Sequence, residues 1–190
     1  VDPVMGDHGK TYGMYTDHLR ARMRELVLRA DLITPNLTEL CLLSDVDFHT
    51  LPDGKESREL FAAIEEMSRK LCHQGTKAVA VTGIRYFSTT DGSPRIGNLC
   101  IANGVRHLAS FPDLCGSYSG TGDLFASVLA GGKARGDSLS DTVQLAGEFL
   151  EKALEDSVKE QVPFNDGVNY EKYLSLLFPY NVSHLQEDCL

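Results

Sequence analysis

The chain has few features that would place it in a specialised class. No run of lysine or arginine occurs, and 18 basic against 27 acidic residues leave a formal net charge of −9. A nucleic-acid-binding face needs a basic patch, so that class is set aside. No apolar run is long enough to span a bilayer, and nothing at the start reads as a secretory leader. The five cysteines (Cys41, Cys72, Cys100, Cys115 and Cys189) are scattered and odd in number. They form no Cys-x-x-Cys or Cys/His spacing that would suggest zinc, and they read as reduced thiols. A cytoplasmic protein is therefore the expectation, with no nucleic-acid or membrane partner. No repeat or low-complexity segment appears. Hydrophobic content of 42% and charged content of 24% are ordinary globular values, and 190 residues can bury a good core.

The most informative stretch runs from Gly116 to Phe125. Gly120 and Gly122 lie just ahead of Asp123, and a small, apolar run follows (Leu124, Phe125, Ala126, Val128, Leu129). This pattern predicts a tight glycine turn opening into a buried helix over about residues 121–134. The first amides of a helix have no partner within it, and the dipole behind them favours an anion. A carboxylate at that turn would repel the anion, so Asp123 reads as a base for a hydroxyl attacking phosphorus. The turn is not a Walker loop, because no Lys-Ser/Thr follows the glycines. Nor is it a dinucleotide fingerprint, because Phe125 stands where the third glycine is needed. Taken alone, the turn is equally a glycine-opened helix with a capping acid.

Elsewhere, residues 1–5 and 31–34 read as short strands and 6–13 as a flexible glycine loop. Thr16 caps a helix to about Arg29. Asn36 caps one to about Leu43, with Glu39 completing a capping-box pattern. A long amphipathic helix runs from about Glu56 to His73. Residues 77–82 form a buried strand ending at Gly83. Residues 84–112 are short antiparallel strands turning at Asp91-Gly92 and Asn103-Gly104. Asp137 or Ser138 caps a helix to about Val158, and a short helix covers Tyr170–Leu177. The alternation of strands and helices predicts an α/β fold with a mostly parallel sheet covered on both faces, in one domain over 1–190. Ligands in such sheets gather at the strand ends, where Asp7, Asn36, Thr82 and Asp123 all fall.

Four motifs in this order carry a family resemblance: Val1-Asp-Pro-Val-Met-Gly-Asp7, Thr34-Pro-Asn-Leu-Thr-Glu39, Val81-Thr-Gly83 and Ser119-Gly-Thr-Gly-Asp-Leu-Phe125. Together they resemble the vitamin B6 (pyridoxal, pyridoxine, pyridoxamine) kinase branch of the ribokinase superfamily. The match runs from residue 1 to about residue 150. Hydroxymethylpyrimidine kinase, which acts in thiamine synthesis, shares much of the framework and is the alternative. The resemblance implies a three-layer ribokinase-like fold. It also implies ATP-dependent phosphorylation of the 5′-hydroxymethyl group of a pyridine, with Mg2+ and a K+ or Na+ ion.

Carried over residue by residue, Asp123 is the base and the amides of Gly120, Thr121 and Gly122 form the anion hole. Asp7 and Glu39 organise magnesium, with Glu39 turned outward to the hydrated ion. Asn36, Thr82 and Gly83 hold the ATP phosphates, and Asp2, Thr34 and Thr82 hold the monovalent cation. Tyr12 and Lys10 sit in a loop over the phosphates. Simpler readings stand beside these: Asn36 and Glu39 as a cap pair, Asp2 as the end of a strand, Asp7 as a turn former and Cys115 as a small packing residue. The chain opens on what reads as an interior strand, so an N-terminal part supplying pyridine contacts, the lid and much of a homodimer surface is expected to be missing. A non-catalytic fragment that keeps a nucleotide site is the reading from a different functional class.

Overall fold

The computed structural model describes residues 1–55, 57–114, 116 and 118–178. The helix start expected at Glu56, the packing role of Cys115 and the thiol of Cys189 lie outside them. Gly6–Asp7 (β1) and Lys10–Thr11 (β2) pair antiparallel across His8 and Gly9, both at positive φ (51° and 75°). Two left-handed residues make a tight turn that matches strand twist, so the expected flexible loop is a small hairpin. Residues 1–5 are not a strand. Val1 instead lies along the next segment: its amino group donates to the Leu32 carbonyl at 2.7 Å, and the Thr34 amide donates to the Val1 carbonyl at 3.2 Å.

Helix α1 (Asp17–Val27) opens at Thr16, whose hydroxyl accepts from the Leu19 amide. Helix α2 (Leu37–Ser44) opens at Asn36 with the expected capping box. After a short 3-10 turn at Phe48–Thr50 comes α3 (Ser57–Gln74). Strands β3 (Ala78–Phe87), β4 (Pro94–Ala102) and β5 (Val105–Pro112) follow. Then come α4 (Thr121–Arg135) and α5 (Leu139–Lys159), the latter capped by Ser138. The last described element, Glu171–Leu177, is a 3-10 helix where a short helix is expected. Among the described residues, no helix is long and apolar enough to cross a membrane.

The described ladders in the sheet are antiparallel, in the order β3-β4-β5. Among the described residues, the expected parallel pairing appears as two isolated bridges, Ile33 with Val79 and Asn36 with Thr82, and as the Val1 hydrogen bonds to Leu32 and Thr34 on either side of Ile33. The segment 31–34 is therefore seated beside β3 without forming a strand of its own. Asn103 and Gly104, at φ 51° and 76°, turn β4 into β5 as expected. Strand β3 does not stop at Gly83. The pairing register shifts between Val81 and Ile84, and Gly83 takes φ 66° within that irregularity. A glycine absorbs the left-handed step that such a bulge requires, and the strand resumes beyond it.

Period-2 alternation splits the sheet into two faces. Val79, Val81, Ile84 and Leu99 pack with α2 and α3 through Leu40, Leu43, Leu60, Ile64 and Leu71. Ala78, Ala80, Cys100, Ala109 and Phe111 pack with α4 and α5 through Phe125, Leu129, Val143 and Ala146. This is a three-layer α/β/α arrangement. The second face is built from small residues, and α5 comes so close that a Cβ on Gly147 would stand 2.1 Å from the Phe111 ring.

Candidate functional site

A cleft of about 790 Å³ opens where the segment after Ile33, the Thr82–Gly83 bend of β3 and the start of α4 converge. Its wall includes Asp2, Asp7, Tyr12, Thr34, Asn36, Glu39, Thr82, Gly83, Gly120, Thr121, Gly122 and Asp123. Every residue proposed from the four motifs is thus brought to one place, and of the two residues expected to lie over the phosphates Tyr12 is on that wall and Lys10 is not.

Gly120 precedes α4 at φ 81°, a conformation that L side chains rarely adopt. Among the described residues no side chain caps this helix, whereas Thr16, Asn36 and Ser138 cap α1, α2 and α5. The Thr121 hydroxyl donates back to the Tyr118 carbonyl at 3.2 Å, which turns it away from the helix amides. The helix mouth is left open to the cleft, and Asp123 in its first turn is exposed.

Asp2 lies near enough to feel that charge. Its carboxylate accepts from the Thr34 hydroxyl at 2.9 Å. Burial, and secondly the Asp123 carboxylate, hold the Asp2 carboxyl above its ordinary range against the opposing effect of the Thr34 bond. Two acids facing one cleft repel, and a cation or a shared proton would relieve them.

Asn36 and Glu39 are committed to structure. The Asn36 side-chain amide donates to the Gly6 carbonyl at 2.9 Å, and its oxygen accepts from the Glu39 amide. The Glu39 carboxylate accepts from the amides of Met5 at 3.0 Å and Asn36 at 2.9 Å, and receives the Gly6 amide as well. Glu39 is only 4% exposed, so the outward orientation expected of it is corrected: it is a strut that pins the Asp7 hairpin to α2. Burial, reinforced by Asp2, raises its carboxyl to about 7 although the amides pull the other way.

Asp7 is half-exposed, with one oxygen accepting from the His8 amide at 2.8 Å. Tyr12 is exposed, and its hydroxyl is shifted upward by burial and by the charges of Asp7 and Glu39. Among the described residues, no three His, Cys, Asp or Glu side chains converge as metal ligands. A magnesium ion keeps most of its waters and needs one or two carboxylates, a demand that half-exposed Asp7 fits directly and that the more enclosed Glu39, on the same cleft wall, would meet through a water.

Two residues on the wall carry no local signature. Asn98 of β4 accepts the Gly83 amide through its side chain at 3.2 Å, completing the bulge that exposes Gly83. Arg85 reaches from β3 to the segment before the glycine turn, donating to the Gly116 carbonyl at 2.7 Å and facing Asp113 at 3.3 Å. Neither pairing lies within a helical turn or hairpin step of sequence, so spacing could not reveal it.

Comparison with known proteins shows the family and the fold. A pyridoxine/pyridoxal/pyridoxamine kinase of Bordetella avium is 33% identical over 156 residues, covering 81% of this chain and 48% of that one. The crystal structure of pyridoxal kinase from Lactobacillus plantarum superposes with a TM-score of 0.78 at 29% identity, over 97% of this chain and 62% of that one. Pyridoxal kinase from Leishmania donovani in complex with ADP and pyridoxamine matches with a TM-score of 0.71 at 26% identity, over 94% and 58% respectively. The chain spans about half the length of the relatives it matches in sequence. The phosphomethylpyrimidine kinase family profile matches residues 1–168, and the chain belongs to that family.

Proposed function

We propose that this chain carries the phosphate-handling half of an ATP-dependent kinase for the 5′-hydroxymethyl group of pyridoxal, pyridoxine or pyridoxamine. Such an enzyme yields the 5′-phosphate for vitamin B6 salvage, acting in the cytoplasm and as a homodimer at full length. The observation that carries the reading is the exposed Asp123 in the first turn of an uncapped helix, inside a cleft that also holds Asn36, Thr82 and Gly83. ADP in the Leishmania relative, together with a B6 vitamer, supports both the donor and the acceptor class.

In this reading Asn36, Thr82 and Gly83 hold the donor's phosphates. The substrate oxygen bonds to the γ-phosphorus as the bond to ADP breaks, and Asp123 takes the hydroxyl proton. The amides of Gly120, Thr121 and Gly122 face the transferring group as its charge shifts. Asp7 is the candidate ligand for Mg2+, which when bound draws charge from the phosphates. Asp2, Thr34 and Thr82 are the candidates for K+ or Na+, where a cation would offset the repulsion between Asp2 and Asp123. Glu39 serves by holding the Asp7 hairpin in place.

A Bacillus subtilis relative named hydroxymethylpyrimidine/phosphomethylpyrimidine kinase, 26% identical over 160 residues, supports a second acceptor, hydroxymethylpyrimidine. A coupled assay offering pyridoxal and hydroxymethylpyrimidine in parallel, with ADP binding measured on the same protein, decides between them. Preferred turnover of pyridoxal supports the first reading and preferred turnover of the pyrimidine the second. ADP binding without turnover of either identifies a non-catalytic nucleotide-binding fragment. No binding of ADP at all overturns the phosphotransfer reading.

A further inference from the structure

The cleft is acidic. Asp2, Asp7, Asp53, Asp123 and Glu151 line it, with the buried Glu39 behind them, and Arg85 is the one lysine or arginine among its described lining residues. A polyphosphate entering there meets a wall of its own sign. The α4 mouth offers only about half a positive charge. A fixed cation is the missing counterpart, and Arg85 is placed to supply it. It follows Ile84, which is fully buried on the α2/α3 face, so beyond the bulge Arg85 turns to the other side of β3, where it lines the cleft.

The guanidinium is held without being enclosed. Nη2 donates to the Gly116 carbonyl at 2.7 Å and Nε faces the Asp113 carboxylate at 3.3 Å, yet the side chain remains 45% exposed. Both partners belong to the segment that leads from β5 into the glycine turn. A guanidinium carries five N–H donors in a planar fork suited to phosphate oxygens, so these two contacts leave donors to spare.

We propose that Arg85 binds the phosphates of a nucleoside di- or triphosphate in this cleft, with Asp113 and Gly116 holding it in readiness. The proposal rests on the phosphotransfer reading of the cleft. It differs from a purely structural role, in which Arg85 would only tie the Gly116 segment to β3.

Calorimetric titration of this chain with ADP and, separately, with adenosine distinguishes the two. Arg85→Ala should weaken ADP by about 10- to 100-fold, the loss expected for a charge-assisted hydrogen bond, and leave adenosine unchanged. Asp113→Asn, which loosens the hold on the guanidinium but removes a competing acid, should change ADP affinity less than Arg85→Ala does. Wild-type ADP affinity in Arg85→Ala overturns the proposal. So does an equal loss for ADP and adenosine in Arg85→Ala that Asp113→Asn reproduces, because that is the behaviour of a loop tie. If melting shows that Arg85→Ala is unfolded, Arg85→Gln keeps a donor for Gly116 without the charge, and the same selective loss of ADP is expected. A wild-type chain that binds no ADP overturns the phosphotransfer reading and this proposal with it. Wild-type binding with an indifferent Arg85 overturns this proposal alone.

Discussion

Asn36 and Glu39 exchange two hydrogen bonds: the Asn36 side-chain oxygen accepts from the Glu39 amide and a Glu39 carboxylate oxygen accepts from the Asn36 amide, each at 2.9 Å. The other Glu39 oxygen accepts from Met5, so one buried carboxylate joins α2 to the chain segment that delivers Asp7. Local capping and the shape of the cleft are thereby one piece of structure.

That carboxyl has a consequence for stability against pH. Its folded value of about 7 stands above the 4.5 of an unperturbed glutamate. Between those values the folded protein keeps a proton that the unfolded chain has released. The contribution is complete below about pH 4.5 and is lost as pH rises to about 7, amounting to about 3 kcal/mol at most. Urea midpoints at pH 5 and pH 8 should fall further for the wild type than for Glu39→Gln, which cannot titrate. Parallel changes in the two proteins would exclude Glu39 as the titrating group.

Asp123→Asn in the full-length enzyme should lower kcat by ~10²–10⁴, the usual contribution of a general base. ADP affinity should persist, because the helix amides and Gly83 are untouched. Near-normal turnover in a coupled assay would remove Asp123 from the proton-accepting role.

Asn98→Ala should destabilise the bulge in β3. The Gly83 amide loses its acceptor, and Asn98 itself is only 8% exposed. Because Gly83 is exposed, water can replace the lost acceptor, and the missing hydrogen bond costs about 0.5–1.5 kcal/mol. Thermal melting reads the stability change, and ADP titration should show weakened binding, since Gly83 forms part of the cleft wall. Unchanged melting would mean that the amide finds another acceptor.

Gly147→Ala should destabilise the α5 face of the sheet, because the added methyl would meet the Phe111 ring at 2.1 Å. Overpacking of this kind costs about 1–3 kcal/mol. Adding Phe111→Leu should restore part of the loss, and a double-mutant cycle on denaturant midpoints measures the coupling. Simple additivity of the two changes would show that α5 shifts away without strain.

What the sequence determined by itself is the set of features made within a few residues. The Thr16 and Ser138 caps, the Asn36–Glu39 box, the Asn103-Gly104 turn and the glycine-opened start of α4 all follow from short-range hydrogen bonds and from backbone angles that few residue types tolerate. The motifs Thr34–Glu39 and Ser119–Phe125 belong to the same layer, because each sits at a helix start. Tertiary packing decided the rest. It extended β3 through Gly83 by pairing it with β4 and lending it Asn98, reduced the 31–34 strand to bridges, and turned Glu39 inward onto Met5. It also set Arg85 against a carbonyl 31 residues away and brought Asp2 within reach of the charge on Asp123. Such contacts join segments whose separation along the chain has no periodicity. Only the packing of two helical layers on one sheet brings them together.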